Sequence, residues 1–216
     1  MGNTGEVAKI TSKDVLAAIY RICDAVEENK AYLCELDAAL GDGDHGVSMS
    51  KSFRAVRDKL PSLEGKDVGA ILKAVGMALI STVGGAMGPL FGSAFLKAGE
   101  RAAGKQEIGL DDIVDMFIAG EEAIVARGKA KVGDKTLLDT VHPAVEAIKE
   151  ARARGLSLVE ALREATKAAE LGMKSTVGMI ARVGRASRLG ERTIGHQDPG
   201  ATSAYIIIKA AAGFAD

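Results

Sequence analysis

The segment Asp37-Ala38-Ala39-Leu40-Gly41-Asp42-Gly43-Asp44-His45-Gly46 sets three carboxylates among three glycines. Gly41, Gly43 and Gly46 match the dinucleotide fingerprint as a pattern. However, the preceding ELDAAL reads as helix, and that fingerprint needs a strand before its turn. Two carboxylates inside the loop would also repel a pyrophosphate unless a cation stood between them. A calcium loop is excluded: counted from Asp42, the fifth position is Gly46 and the twelfth is Phe53, so the bidentate acid is missing. In a continuous helix Asp37 and Asp44 would share a face about 10 Å apart, with Asp42 turned away. Gly41 and Gly43 break that geometry and let Asp42 and Asp44 fold back towards Asp37. Three carboxylates some 5 Å apart repel by roughly 3 kcal/mol per pair at an effective dielectric near 20. Oxygen ligands without thiolates or paired histidines suit Mg²⁺ completed by phosphate oxygens and water. The alternative is a solvated acidic turn with Asp42 and Asp44 as caps. Asp37 at a helix end, the flanking glycines and His45 together favour the metal.

Two further segments suit phosphate. Ser81-Thr82-Val83-Gly84-Gly85-Ala86-Met87-Gly88-Pro89 ends one helix and opens another, where exposed amides with little side-chain bulk fit an anion. A plain helix–helix turn reads equally well there. Residues 184–200 form a long polar stretch with Arg185, Arg188 and Arg192, ending in Asp198-Pro199-Gly200 ahead of a helix. Arginines match phosphate by charge and fork geometry; the other reading is a mobile surface loop. Gly99 to Lys105 imitates a Walker A motif, but Gln106 replaces the hydroxyl and no strand precedes it, so it reads as a frayed helix end. His142 and His196 lack a partner pattern and read as structural.

These loops must be held by helices. Thr11 with Asp14 resembles a capping box, and Val15, Ile19, Ile22 and Val26 follow at helical spacing. Cys23 and Cys34 read as lying in that same helix, roughly 16 Å apart along its axis, as reduced core residues that cannot bridge. Further helices are expected over about 47–59, from a cap at Asp67, over 90–102 with Pro89 in the first turn, from Asp111, and over about 137–153. Another runs from a Ser157/Glu160 capping box to Arg182, with a break near Gly172, and a last one covers 201–212. Only Tyr205 to Ile208 has strand-like composition, and one strand builds no sheet. The fold class is all-α: a single domain over 1–216, a barrel or bundle of about eight antiparallel amphipathic helices, with residues 1–10 as a flexible tail. Four connections, 41–46, 84–88, 128–134 and 184–200, are glycine-rich, which together suggests close approach of backbone to a ligand.

Hydrophobic residues make up 47% and charged residues 26%, an ordinary globular balance, and the net charge of −1 offers no basic field to nucleic acid or an anionic membrane. The N-terminal segment lacks the apolar core of a signal peptide, so a cytoplasmic protein is expected.

Taken together, LDAALGDGDHG, TVGGAMGPLFG, VGDKTLLDTVHPA and GRASRLGERTIGHQDPGATS resemble the nucleotide-binding L subunit family of dihydroxyacetone kinase, over about residues 12–213. The resemblance implies an eight-helix barrel with ADP or ATP at one end and two Mg²⁺ held by Asp37, Asp42 and Asp44. It places nucleotide contacts at His45, Gly46, Ser48, Gly85, Ala86, Met87, Gly128, Leu137, Arg185, Asp198 and Gly200. It also implies a separate K subunit that holds the ketose covalently on a histidine, and a phosphoryl donor that is either exchanging ATP or a phosphotransferase M subunit recharging tightly held ADP. The family commonly has Asn at Ser48, Ser at Met87 and Met at Leu137, departures that suggest a subgroup acting on another small ketose. Three other readings share these residues: the nucleotide domain of a fatty acid kinase, a regulatory Mg²⁺-nucleotide module without turnover, and a magnesium-dependent phosphohydrolase.

Overall fold

The structure, a computed structural model, describes residues 9–82 and 87–213. Nine α-helices are present among them: α1 Ser12–Glu28, α2 Lys30–Ala38, α3 His45–Lys59, α4 Val68–Thr82, α5 Met87–Arg101, α6 Leu110–Gly128, α7 Leu138–Ala153, α8 Leu158–Ser175 and α9 Pro199–Ala212. The expected caps form. Thr11 and Asp14 close a reciprocal box on α1, Ser157 and Glu160 do so on α8, and Asp67 accepts from the Ala70 amide at 3.0 Å to open α4.

Two expectations need correction. The first helix does not continue through Cys34. It stops at Asn29, whose side-chain amide donates to the Ala25 carbonyl at 2.8 Å, and α2 starts one residue later. Cys23 and Cys34 therefore belong to different helices. Cys23 is buried, which pushes its thiol up to about 11. The helix from Ser157 ends at Ser175 rather than Arg182, and Gly172 lies unbroken inside it. Gly172 is there because a Cβ would collide with the Asp139 carbonyl of α7. Tyr205 to Ile208, despite their strand-like composition, are helical within α9, as the helix expected over 201–212 requires. A minimal antiparallel bridge, β1 Ile10–Thr11 with β2 Glu107–Ile108, buries Ile10 against Ile108. Residues 1–8 of the expected tail lie outside the described residues.

Each helix turns an apolar stripe inward, and Ile22, Val26, Phe53, Ile71, Leu79 and Ile148 are almost fully buried. The packing order is cyclic: α1 lies on α3, then α4, α5, α6, α7, α8 and α9 follow, and α9 returns to α1. Eight helices thus close a barrel, with short α2 laid outside against α3 and α9. An apolar cavity of about 230 Å³ runs within it, lined by residues such as Ile19, Phe91, Phe117 and Ile207. Its one carboxylate, Glu121, accepts from or shares a proton with His142 Nδ1 at 2.6 Å, the structural role expected of that histidine. The cavity is greasy and offers phosphate nothing.

The tightest seam joins α4 and α5. Gly69 and Gly76 lie two turns apart on one helix, Gly92 and Gly99 on the other. A Cβ on any of them would come within 2.6–2.8 Å of a backbone oxygen across the seam. Among the described residues no helix is long and apolar enough to cross a membrane.

An up-and-down ring sends alternate connections to opposite ends. The α3–α4 and α5–α6 connections meet β1 at one end, through Val68 N to Lys105 O at 2.8 Å and Ser12 N to Gln106 O at 2.8 Å. The α2–α3, α6–α7 and α8–α9 connections gather at the other, with the end of α4 and the start of α5. Three of the glycine-rich segments thus meet there, and the ring topology is what unites them.

Candidate functional site

At that end the loop after α2 folds back as the glycines require. Gly43 takes φ +75, open to glycine and strained for other residues. A Cβ at Gly41 would sit 2.6 Å from Asp37 Oδ1. With both turns made, one oxygen from each of Asp37, Asp42 and Asp44 lies within 4.8 Å of the others. The His45 amide at the start of α3 donates to Asp37 Oδ2 at 3.2 Å and fixes that carboxylate. Asp42 and Asp44 are exposed and Asp37 is half-buried, so the cluster faces outward at the barrel mouth. Arg185 reaches across from the α8–α9 connection to ion-pair with Asp42.

His45 is buried, with Nε2 2.7 Å from Ser203 Oγ on α9. Desolvation lowers its pKa, against the opposing pull of Asp37 and Asp44, so the ring is neutral at pH 7. It locks α3 to α9 beside the acidic cluster. Gly46 is buried where α3 crosses α2, and Ser48, two residues further, is half-buried.

Opposite the aspartates, Asp198 caps α9 by accepting from the Ala201 amide at 2.7 Å. Gly200 lies against α5 and α7: a Cβ there would be 3.7 Å from Met87 Sδ and from the Leu137 amide nitrogen. Met87, Leu137, Asp198 and Gly200 are therefore neighbours, drawn from three connections. Leu137 has its side chain in the core, so the backbone is what it offers the mouth. Gly128 closes α6, exposed and near Leu90. Gly85 and Ala86 lie outside the described residues.

Asp198 is partly buried as a residue, with its carboxyl turned under the helix start. Desolvation pushes its pKa up to about 7, with nearby Asp139 adding to the rise. In the ligand-free protein this weakens the fold as pH rises. Below about pH 4 the carboxyl is protonated in folded and unfolded chains alike, and between about 4 and 7 only the unfolded chain releases its proton. Asp198→Asn keeps a capping oxygen without the charge. Its melting temperature should exceed that of the parent by several degrees at pH 8, and the gap should close near pH 4. Equal melting curves at both pH values would mean that Asp198 carries no desolvation penalty.

Sequence reasoning missed Lys135. It is 2% exposed, and its Nζ donates to the carbonyls of Thr176 at 2.8 Å, Met179 at 3.2 Å, Thr193 at 2.6 Å and His196 at 2.5 Å. The segment 184–200 is accordingly no free loop. Arg185–Thr193 winds as 3₁₀ turns kinked at Gly190, and the Arg182 amide bonds the Asp134 carbonyl at 3.1 Å.

Known proteins resemble this chain along most of its length. The DAK2 domain family matches residues 39–213. The chain is 45% identical over 189 residues, 88% of itself and 90% of the relative, to the ADP-binding subunit DhaL of the PEP-dependent dihydroxyacetone kinase of Escherichia coli K12. It is 42% identical over 184 residues, 85% of itself and 88% of the relative, to the ADP-binding subunit DhaL of the PTS-dependent dihydroxyacetone kinase of Lactococcus lactis. Among solved structures, the dihydroxyacetone kinase of C. freundii superposes with a TM-score of 0.70 at 23% identity, over 93% of this chain and 34% of that one. The same enzyme in complex with AMP-PNP and Mg²⁺ gives 0.69. These two likenesses speak for the fold.

Proposed function

Since the chain belongs to the DAK2 domain family, and within it to the ADP-binding subunits of dihydroxyacetone kinases, we propose that it binds ADP or ATP with Mg²⁺ and passes a phosphoryl group to a small ketose held on a separate K-type subunit. The observation that carries this reading is the convergence of Asp37, Asp42 and Asp44 at the barrel mouth.

The donor set suits the ion: three carboxylates, with no thiolate and with the one nearby imidazole committed to Ser203. When bound, two Mg²⁺ would offset phosphate charge and hold the transferred group in line. The chain's own groups do the positioning. Asp37, Asp42 and Asp44 form the acidic floor, and His45 ties α3 to α9 beside them through Ser203. Arg185 holds Asp42 through an exposed ion pair, which is worth little by itself. Exchanging Asp42 from guanidinium to cation therefore costs little, and it frees Arg185 for phosphate oxygens. Met87, Leu137 and Gly200 border the side where the remainder of a nucleotide would lie, with Gly128 at the same end; the resemblance adds Gly85 and Ala86. His45, Gly46 and Ser48 form the wall beneath. The M-type phosphotransferase partner, with ADP held as a permanent carrier, fits the two bacterial relatives best; both are named as ADP-binding subunits of PEP- or PTS-dependent kinases.

The test is reconstitution. The pure chain with Mg²⁺ and ATP should phosphorylate neither dihydroxyacetone nor erythrulose, and adding a K-type subunit together with a phosphoryl donor should give the ketose phosphate. Turnover by the pure chain would sink the two-component reading. Steady release of inorganic phosphate without any partner would favour a phosphohydrolase.

A further inference from the structure

We propose that Lys135 is a positioning residue for the nucleotide site: its buried ammonium pins both ends of the 176–196 segment and so sets where Arg185 stands over the aspartates. This rests on the nucleotide-site reading above.

The four carbonyls fall in two pairs. Thr176 and Met179 belong to the C-terminal end of α8 and the turn after it, while Thr193 and His196 lie just ahead of α9. One cationic head therefore closes residues 180–192 into a loop whose two feet meet at a single point. Arg185 lies within it and reaches Asp42. An ammonium has three N–H groups, so four carbonyls saturate it, and it adds to the amide bonds that the Thr176 and Thr193 oxygens already accept from Met179 and His196. The end of α8 adds the negative pole of its helix to the same spot. Among the described residues Lys135 makes no carboxylate ion pair, and Asp198 is the acidic group whose field reaches it. The residue also takes φ +61, a left-handed conformation that a lysine adopts only when its surroundings require it. A second tie supports the same loop: Thr193, buried, accepts from the Ala181 amide at 3.0 Å and donates to the Gly190 carbonyl at 2.7 Å. Between these ties Arg188 and Arg192 remain exposed.

Lys135→Met keeps the length of the stem and removes the head. In ligand-free protein that retains its helical circular dichroism, trypsin should cut at Arg188 and Arg192 at least about ten times faster than in the parent. The variant should bind ADP with Mg²⁺ about ten-fold more weakly by calorimetry. Arg185→Ala should weaken binding by a similar factor, and the double variant should be no weaker than the poorer single one, because Lys135 acts through the placement of Arg185. A residue that merely stabilised the barrel would give additive losses. Lys135→Arg retains a buried cation for folding, but its planar fork cannot aim donors at four oxygens converging on one point. It should show the same faster cleavage and the same non-additivity. Parental cleavage rates in either folded variant, or additive losses in affinity, would overturn the proposal. If the parent itself bound no ADP, the nucleotide reading would fall, and the cleavage comparison would still decide whether Lys135 pins the segment.

Discussion

Asp44→Ala should abolish Mg²⁺-dependent ADP binding while leaving the helical signal and the melting curve close to those of the parent. Asp44 is the cleanest of the three aspartates to remove. Asp37 accepts from the His45 amide and Asp42 is paired to Arg185, so truncating either disturbs something besides metal. Asp44 stands at the start of α3 without a side-chain capping bond, and it is exposed. The fold thus makes little use of its carboxylate, and the proposed cation site would use it fully. Truncating one member of a close charged set costs about 2–5 kcal/mol. At about 1.4 kcal/mol per decade, the affinity should fall by about thirty-fold to a few thousand-fold. Calorimetric titration of ADP in the presence and absence of Mg²⁺ reads this directly. Unchanged affinity in the folded variant would remove the metal assignment and return the loop to a solvated acidic turn.

That site was legible because its signals are local. Asp37, Asp42 and Asp44 sit within one turn-and-loop, and the bends that join them are made by glycines visible in the chain. The capping boxes at Thr11 and Ser157 were legible for the same reason: cap and partner lie three residues apart. The misses share the opposite property. The end of α1 is the exception, since Asn29 bonds only four residues back to the Ala25 carbonyl, and Asn29 with Lys30 already interrupts the apolar spacing after Val26. Gly172 looked like a helix break, Gly99 was read only as the start of a false Walker A match, and Gly69, Gly76 and Gly92 drew no reading. All five are small because another backbone lies against them, and that neighbour comes from elsewhere in the chain. The seven-residue spacing within each pair on α4 and α5 was the available clue, since it keeps both glycines on one face. Lys135 was the deepest miss. A lysine after Gly-Asp reads as a surface charge, and only closing the ring brings the carbonyls of Thr176, Met179, Thr193 and His196 around it.

Gly46 tests whether a glycine in the acidic loop serves the ligand or the packing. The resemblance assigns it to nucleotide contact. In the structure, a Cβ there would overlap the Lys30 carbonyl oxygen and lie 2.9 Å from Cys34 Sγ and 3.0 Å from the Cys34 nitrogen. Backbone is the obstacle, so no rotamer change relieves it, and α2 must move away from α3. Gly46→Ala should therefore destabilise the protein by about 1–3 kcal/mol, the range for overpacking a close contact. It should also weaken ADP binding, because α2 carries Asp37 at its C-terminal turn while Asp44 stays with α3. Gly178→Ala is the control: it lies at the same end of the barrel with nothing within 4 Å of its added methyl, and it should be near neutral in both measurements. Urea unfolding midpoints and ADP titrations on the two variants separate the roles. Loss of stability and affinity together means that Gly46 holds the aspartates in register by letting two helices touch. Loss of affinity at parental stability would mean that the glycine faces the nucleotide itself, and the close approach of α2 to α3 would then be ruled out as its reason.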